Sequence, residues 1–393
     1  MDVGALKASI IKDIDAVYPQ LGELSRKLHD NPEVAFEEYQ AAKWIIEYLN
    51  EKGFSTEKGI CELPTAFCGK YGSGRPVVAF LAEYDALPGI GHACGHNLIA
   101  ASAVAAGLAS KRTADELGGS IIVFGTPGEE LYGGKAMMAE KGAFDGVDIA
   151  MMTHPGNSNR VIMHTLAVQN LNVEFIGKAA HAAAQPEVGI NALEAMILSY
   201  NAINSLRQHI REKGRIHGII TDGGQASNIV PAHSAASFMV RADEDSYLDE
   251  LKEKVINCFV GAAKATGAKL KYDWVGARYA TMLNNLTLAE LFKSNMKLLG
   301  SEIPLGDTTV MDFSTDVGNV SQLLPTIHPW VAIAPVNTLN HTPEFARAAA
   351  SADALRPMLD SAKAMAMTAV DIMADPKIQD RIIEDFRNSR ESK

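Results

Sequence analysis

The sequence predicts an α/β fold with a largely parallel central sheet, interrupted by a smaller inserted α+β domain. Two observations support this prediction. Apolar strand candidates alternate with helical segments in the first part of the chain and again in its last part. Between these parts the order of elements changes to βαββαβ, which is typical of a ferredoxin-like domain. With 393 residues and 47% hydrophobic content, the chain is long enough to form both cores.

The chain up to Phe54 predicts two amphipathic helices. Apolar positions recur at helical spacing over 10–17 and again over 44–49, and Pro32 separates the two segments. A later apolar stretch, 98–109, is rich in alanine and too short to span a bilayer, so it predicts a helix of the protein core.

Three buried-strand candidates follow one another at 76–87, 120–126 and 147–152. The first contains Asp85 near its end, the second is followed by Glu129 and Glu130, and the third by His154. In parallel sheets the active site forms beyond the carboxyl ends of the strands. We therefore expect these four side chains to lie at one edge of the sheet, although each alone is more typical of a solvated loop end.

The inserted domain is expected over 168–279, which divides the catalytic domain into 1–167 and 280–393. Its predicted strands are 168–177, 216–221, 235–241 and 269–275, and its predicted helices are 190–210 and 246–265. After the insert we expect a helix from about 283, a loop at 311–319 and a strand at 330–334. Thr342 and Pro343 then form a helix-start signature, which places His341 just ahead of a long terminal helix.

The composition excludes several classes of function. The net charge of −11, without a long run of like charges, argues against nucleic acid or an anionic membrane as the main partner. The N-terminal residues lack the apolar core of a secretory signal, so we expect a cytoplasmic protein. Four cysteines in so long a chain do not form a disulfide framework.

The stretch 91–97, with the sequence GHACGHN, holds the most specific chemistry. Cys94 and His96 are two positions apart and are flanked by glycines, and a thiolate and an imidazole can converge on one transition metal. The alternative is structural, with Cys94 as a small buried apolar side chain and His96 as a loop histidine.

Five candidate ligands emerge when the strand ends are added: Cys94, His96, Glu130, His154 and His341. This number exceeds the three protein ligands of a typical catalytic zinc and suits two metal ions that share one bridging ligand and a water. We expect Cys94, as the bridging thiolate, to bind one ion with His96 and His154. It would bind the second ion with Glu130 and His341.

The adjacent Glu129 and Glu130 suggest a division of roles. Two neighbouring carboxylates do not easily bind the same ion, so Glu130 would bind metal while Glu129 acts as general base and acid. The structural alternative for this pair is a solvated helix start.

The ordered motifs resemble the aminoacylase/carboxypeptidase family of co-catalytic metallopeptidases, and within it the aminobenzoyl-glutamate hydrolase-like amidohydrolases. The motifs are LSRKLHDNPE, GHACGHN, TPGEE, MMTHPG, GKAAHAAAQPEVGINA, STDVGNVS and NHTPEF. They are distributed over nearly the whole chain. The resemblance implies a zinc-peptidase-like catalytic domain, a lid or dimerisation domain at the insert, the same five metal ligands, and Glu129 as general acid/base.

The chain departs from the wider family at two places. Relatives carry His-x-Asp after the first strand and an aspartate as bridging ligand, whereas this chain has Glu83-Tyr84-Asp85 and Cys94. We therefore assign Asp85 the role of supporting a ligand rather than reacting directly.

Three residues of the insert are implied by the resemblance as functional. His181 matches the histidine that reaches the partner subunit's site and polarises the scissile carbonyl, a role that suits a donor aimed at developing negative charge. Asn228 and Arg241 match positions that bind substrate oxygens or a carboxylate. For Arg241, a surface ion pair is an equally good interpretation.

The predicted function is hydrolysis of the amide of a small N-acyl or aminobenzoyl amino acid by a hydroxide bound to two divalent ions, zinc or manganese, in a homodimer. A dipeptidase or carboxypeptidase with the same site is the alternative, and a non-catalytic binding subunit is a remote one. Redox catalysis by Cys94 lacks a resolving cysteine nearby. The remaining histidines are interpreted as structural, and His328 is the one among them for which a place in the pocket is the strongest alternative.

Overall fold

The computed structural model describes residues 2–306 and 313–391. Its α-helices are α1 (Val3–Ala16), α2 (Tyr18–Asp30), α3 (Tyr39–Glu51), α4 (His96–Leu117), α5 (Gly134–Glu140), α6 (Ala192–Leu206), α7 (Asp245–Thr266), α8 (Leu286–Leu298), α9 (Val317–Ser321), α10 (Pro343–Ala349), α11 (Ala352–Ala374) and α12 (Pro376–Glu391). Its strands are β1 (Ser55–Lys58), β2 (Phe67–Ser73), β3 (Val77–Ala82), β4 (Gly119–Gly125), β5 (Ile149–Met151), β6 (His154–Gly156), β7 (Ala167–Ile176), β8 (Arg215–Asp222), β9 (His233–Ala242), β10 (Lys269–Tyr279), β11 (Thr326–Ile327) and β12 (Trp330–Ala332).

A six-stranded mixed sheet in the order β1-β2-β4-β3-β5-β11 forms the centre of the first unit. Strands β4, β3, β5 and β11 are parallel, whereas β1 and β2 are antiparallel at one side. The three predicted strands are therefore present as β4, β3 and β5, side by side. Strands β1 and β2 were not predicted, because β1 is exposed and the second half of β2 carries polar residues and glycine.

Helices α4 and α11 pack against each other, and most residues of both are buried. Their alanine-rich faces allow close approach. At Gly107 a β-carbon would lie 2.4 Å from the Cγ2 atom of Val123, so α4 also contacts β4 closely. The core helix predicted at 98–109 is confirmed and is longer than predicted.

Two predictions at the ends of the chain were wrong. The N-terminal region forms three helices rather than two, because the chain leaves the helical conformation at Val17 between α1 and α2. The long terminal helix predicted to begin at Thr342 ends at Ala349. There the Ser351 side chain accepts a hydrogen bond from the Ala354 amide and starts α11 as a separate helix.

The second unit comprises Thr165–Thr281, together with the described residues 313–315. Its elements follow the order β7-α6-β8-β9-α7-β10, as the sequence predicted, and form an antiparallel sheet in the order β10-β7-β9-β8. Residues of β9 alternate between buried and more exposed, the pattern of a sheet with one face on a core. Helices α6 and α7 pack on the buried face and share one hydrophobic core with it.

Part of the loop predicted at 311–319 lies outside the described residues, and its last part is the short helix α9. Among the described helices, none combines the length and apolar character needed to cross a membrane.

Candidate metal centre

Cys94 and His96 lie in a tight turn at the start of α4. Gly95 between them has a φ of 80°, and a β-carbon at this position would lie 2.5 Å from Cγ of Pro155. Only glycine fits here, so the turn brings the Cys94 thiol against the segment that carries His154. The Cys94 Sγ atom lies 3.4 Å from Nε2 of His154. Cys94, His96 and His154 are 8%, 0% and 7% exposed.

The carboxyl ends of β3, β4 and β5 bring together two groups of potential metal ligands that contain Cys94, and a third group of His96, Glu129 and Glu130. The first contains Cys94, His96 and His154, and the second Cys94, Glu130 and His341. Within each group all ligand atoms lie within 4.8 Å of one another. Cys94 belongs to both groups. The residue types and their distances therefore suit two cations that share one thiolate.

Two hydrogen bonds orient the histidines of the first group. Nδ1 of His154 lies 2.7 Å from the carbonyl oxygen of Pro155, and Nδ1 of His96 lies 2.8 Å from a carboxylate oxygen of Asp85. Each Nδ1 therefore donates a proton, and each Nε2 is left as a ligand atom. The other oxygen of Asp85 accepts the Glu130 amide at 2.9 Å. Asp85 thus accepts hydrogen bonds from two candidate ligands, from the ring of His96 and from the backbone amide of Glu130.

Unsatisfied polar atoms at this position also fit a metal centre. Nε2 of His96 and Oε1 of Glu130 are buried and make no hydrogen bond to any described residue. Oε2 of Glu83 is 3.3 Å from Nε2 of His96, outside hydrogen-bonding geometry. Buried lone pairs without a partner are costly, and a cation would satisfy them.

His341 reaches the second group from the loop before α10. Its Nε2 lies 3.4 Å from Oε2 of Glu130, and its amide donates to the carbonyl of Ala93 at 2.9 Å. The backbone φ of His341 is 65°, an unfavourable conformation for a residue with a side chain. Such strain persists where the surrounding contacts require it, and here it directs the imidazole toward Glu130.

The electrostatics of the centre require positive charge. Burial and the Glu130 carboxylate raise the pKa of the Cys94 thiol, and burial followed by the same carboxylate raises the pKa of Glu129 well above its ordinary value. Burial raises the pKa of Glu130 to about 7 and lowers the pKa of His154 to about 4. Thiolate and carboxylates are therefore unfavourable without cations nearby, whereas His154 is already neutral and able to bind one. Against the effect of burial, the Asp85 and Glu83 carboxylates raise the pKa of His96 well above its ordinary value, so His96 must lose a proton to bind a cation.

The chain is similar to known peptidases over most of its length. Residues 168–266 match the model of the M20 peptidase dimerisation domain. The chain is 37% identical to a Xaa-Arg dipeptidase of Homo sapiens, over 97% of this chain and 92% of that protein. The chain belongs to the M20 peptidase family. It is also 30% identical to one of the two p-aminobenzoyl-glutamate hydrolase subunits of Escherichia coli, over 92% of this chain and 91% of that protein.

Solved structures support the M20 fold. A dinuclear metal binding peptidase of the M20 family from Bacillus subtilis is 21% identical, with a TM-score of 0.70 over 92% of this chain and 99% of that one. An aminobenzoyl-glutamate utilization protein from Klebsiella pneumoniae gives a TM-score of 0.69 at 18% identity, over 92% and 98% of the two chains. Family membership makes this chain a hydrolytic enzyme, as the sequence predicted.

The sequence analysis missed a network of buried charged residues next to the candidate metal ligands. Nζ of Lys135 lies 2.6 Å from Oε1 of Glu83 and 2.6 Å from Oδ1 of Asp316, and all three side chains are buried. Asp316 also accepts the Lys135 amide at the start of α5, at 2.8 Å. The three residues are far apart in sequence, and no pattern connects them. The only local feature that could have drawn attention to this network is the dipeptide Gly134-Lys135, shortly after Glu129 and Glu130.

The predicted functional residues of the insert lie in the second unit. The segments of His181 and Asn228 are adjacent, because the Ala182 amide donates to the Asn228 carbonyl at 3.0 Å. Nδ1 of His181 accepts the amides of Ala183 and Ala184, at 3.2 and 3.1 Å, so its proton is on Nε2.

Arg241 lies on β9, apart from these segments. Its guanidinium donates to Ser314 Oγ at 3.1 Å and to Met239 Sδ at 3.0 Å. It forms no ion pair with a described acidic residue in the structure, so the surface ion pair is not the better interpretation of this arginine.

Proposed function

We propose that the chain hydrolyses the amide bond of a small dipeptide or N-acyl amino acid at a centre of two divalent cations bridged by Cys94. The observation that carries the proposal is the membership of Cys94 in both groups of ligand atoms. His96 and His154 would complete one site, and Glu130 and His341 the other. A single zinc ion would not need the second group.

When bound, the two cations supply Lewis acidity and lower the pKa of the attacking water. Glu129 takes the proton of that water, because its carboxyl lies beside the ligand groups and its raised pKa suits a general base. It then delivers the proton to the leaving amine. His181, with its proton on Nε2, is assigned to the developing negative charge on the scissile carbonyl, and Asn228 and Arg241 to substrate oxygens.

The ligand set favours zinc over magnesium or calcium, since a thiolate and three imidazoles are soft and borderline donors. The amidohydrolase branch that the motifs resemble often uses manganese. Elemental analysis of the purified protein, followed by reconstitution of the metal-free protein with zinc and with manganese, would decide between the two.

For the substrate, we favour a dipeptide with a basic C-terminal residue, which is a form of the dipeptidase alternative that the sequence left open. Two relatives at 37% identity, from human and mouse, are Xaa-Arg dipeptidases. The net charge of −11 also favours approach of a cationic substrate. The 30% identity to a p-aminobenzoyl-glutamate hydrolase subunit supports an aminobenzoyl amino acid as the second candidate.

We also propose a homodimer that forms through the insert. The match to a dimerisation domain covers this region, and β8 is an edge strand of the four-stranded sheet. Ile219 on β8 is 66% exposed and Ile220 is also exposed, and such edges readily pair with another chain. Light scattering should give twice the chain mass, and an Ile219→Lys variant should give the mass of one chain.

A hydrolysis assay of the metal-reconstituted protein tests the function. The panel should contain Xaa-Arg and Xaa-Lys dipeptides, neutral dipeptides, N-acetyl amino acids and p-aminobenzoyl-glutamate, with the chelated protein as control. We expect turnover that is restored by metal and is highest for the basic dipeptides. No turnover of any amide by protein that contains two ions per chain would contradict the proposal.

A further inference from the structure

His328 lies at the active edge, by which we mean the edge of the central sheet formed by the carboxyl ends of β4, β3, β5 and β11. The proposed mechanism gives this residue no role. It directly follows β11, which is parallel to β5. It therefore stands at the carboxyl end of a fourth parallel strand, and Asp85, Glu129 and His154 lie a few residues beyond the same ends of the other three. In open parallel sheets this edge is where ligands bind.

The imidazole of His328 is buried without hydrogen bonds. The residue is 1% exposed, and neither Nδ1 nor Nε2 has a hydrogen-bond partner among the described residues. An imidazole offers a donor and an acceptor, and leaving both unpaired in the interior is unfavourable compared with an apolar side chain of similar size. A polar residue is retained at this cost where a group outside the chain pairs with it.

The contacts of His328 indicate that its hydrogen-bonding partner binds at the catalytic centre. Its ring packs edge-on against His154, with the ring centroids 5.5 Å apart and the planes at 75°. The His154 ring also stacks on the ring of Trp330, with the centroids 5.0 Å apart. His328 contacts the ring of the candidate ligand His154, so a molecule that reaches the metal centre also comes near His328.

His328 is not placed as a metal ligand. The groups of described residues able to hold an ion include His154 and Cys94 but do not include His328. Its two nitrogens can therefore form hydrogen bonds with another partner. Because a neutral imidazole offers one donor and one acceptor, a small molecule with oxygen atoms is a suitable partner.

We propose that His328 is a substrate-binding residue that forms a hydrogen bond with an oxygen of the bound substrate. This inference rests on the proposed hydrolase function and names a further contact of the same site. The oxygen belongs to either the scissile carbonyl or the substrate carboxylate. A dipeptide and its C-terminal amide distinguish these sources, because only the first has the carboxylate.

The test compares His328→Leu and His328→Phe with the wild type, with His209→Phe as control because His209 is exposed on the insert. We expect unchanged metal content and a decrease in kcat/KM of at least tenfold. Without substrate, at least one apolar variant should have a Tm equal to or above that of the wild type. His328→Gln, which keeps a donor and an acceptor, should recover part of kcat/KM.

Three outcomes overturn the inference: unchanged kcat/KM in both apolar variants, loss of metal from them, or a Tm several degrees lower in both. The last would show that His328 is paired permanently with an internal water. If the effect persists with the amidated dipeptide the oxygen is that of the scissile carbonyl, and if it disappears the oxygen is that of the carboxylate.

If the wild type hydrolyses no amide, the proposed function fails and the stability comparison alone decides the inference. A stable apolar variant then supports an unfilled polar site at His328, and two destabilised variants overturn it.

Discussion

The insert and the active edge of the central sheet place their polar groups differently. In the insert, the residues of β9 alternate regularly between buried and more exposed, and acidic residues of the following segment such as Glu244 and Asp249 are at the surface. At the active edge, Glu83, Asp85 and Asp316 are at most 1% exposed, and Glu83 and Asp316 share one buried lysine. The comparison shows that the insert keeps such groups at the surface, as is usual, whereas the active edge buries them beside the candidate metal ligands.

The largest expected difference concerns two glutamates. Glu129→Gln should lower kcat by about 10²–10⁴, because it removes the general base, and should leave metal content nearly intact. Glu253→Gln on the exposed face of α7 should change neither quantity. Steady-state kinetics with elemental analysis of both variants measures the contrast. Normal turnover by the Glu129 variant would rule out its assignment.

A pair of cysteines gives the next contrast. Cys94→Ala removes the only ligand atom present in both groups, and we expect metal affinity to fall by more than about 100-fold, since residues that only orient ligands are worth about 10–100-fold. Cys258→Ala on α7 removes only a thiol that donates to the Lys254 carbonyl at 3.4 Å, so its metal affinity should be unchanged. Competition with a chromophoric chelator measures both. Equal affinities would contradict the bridging role.

Two glycines sharpen the comparison at the level of the backbone. Gly95→Ala introduces a methyl group 2.5 Å from Pro155 at a φ of 80°, so we expect a loss of at least about 1 kcal/mol and weaker metal binding. Gly261→Ala on exposed α7 meets nothing within 4 Å and should gain about 0.5–1 kcal/mol. Denaturant unfolding measures both free energies. Similar signs for the two variants would show that the turn has no special geometry.

The last prediction is a pH dependence of metal affinity. In the metal-free protein Glu130, whose pKa is raised to about 7, is protonated below that pH, and Cys94, whose pKa is also raised, keeps its proton above it. These two protons must leave when cations bind, as must the proton that, against the effect of burial, the Asp85 and Glu83 carboxylates hold on His96 by raising its pKa well above the ordinary value. Affinity should therefore rise with pH by about tenfold per unit for each proton released. His154, with a pKa near 4, should contribute no proton. Calorimetry in buffers of different ionisation enthalpy counts the protons, and a flat profile from pH 6 to 8 would contradict this view.

The insert could be predicted almost completely from sequence. Its strands and helices follow the predicted order, because each has one face on a core and the apolar period shows in the residues themselves. The edge strands β1 and β2 were missed, since an exposed strand has no such period. The break at Ser351 was also missed, because a cap side chain decided where α11 starts.

For the site, the sequence supplied the candidates but not their supports. Cys94, His96, Glu130 and His154 were found because they follow strands or stand in a motif, and the rule for parallel sheets brings such positions to one edge. The contacts of Lys135 with Glu83 and Asp316 join residues up to 181 positions apart, and the unpaired ring of His328 likewise depends on distant parts of the chain. Local pattern carries no information on such distances.

The sequence by itself thus determined the order of elements, the two-part architecture and the residue types available for two cations. Only the tertiary structure decided that Cys94 stands within reach of both histidine-containing groups, through the turn at Gly95 and the strained backbone of His341. The physical reason is that periodicity and local propensity act over a few residues, whereas a metal centre is made of side chains that only the packed sheet brings within bonding distance.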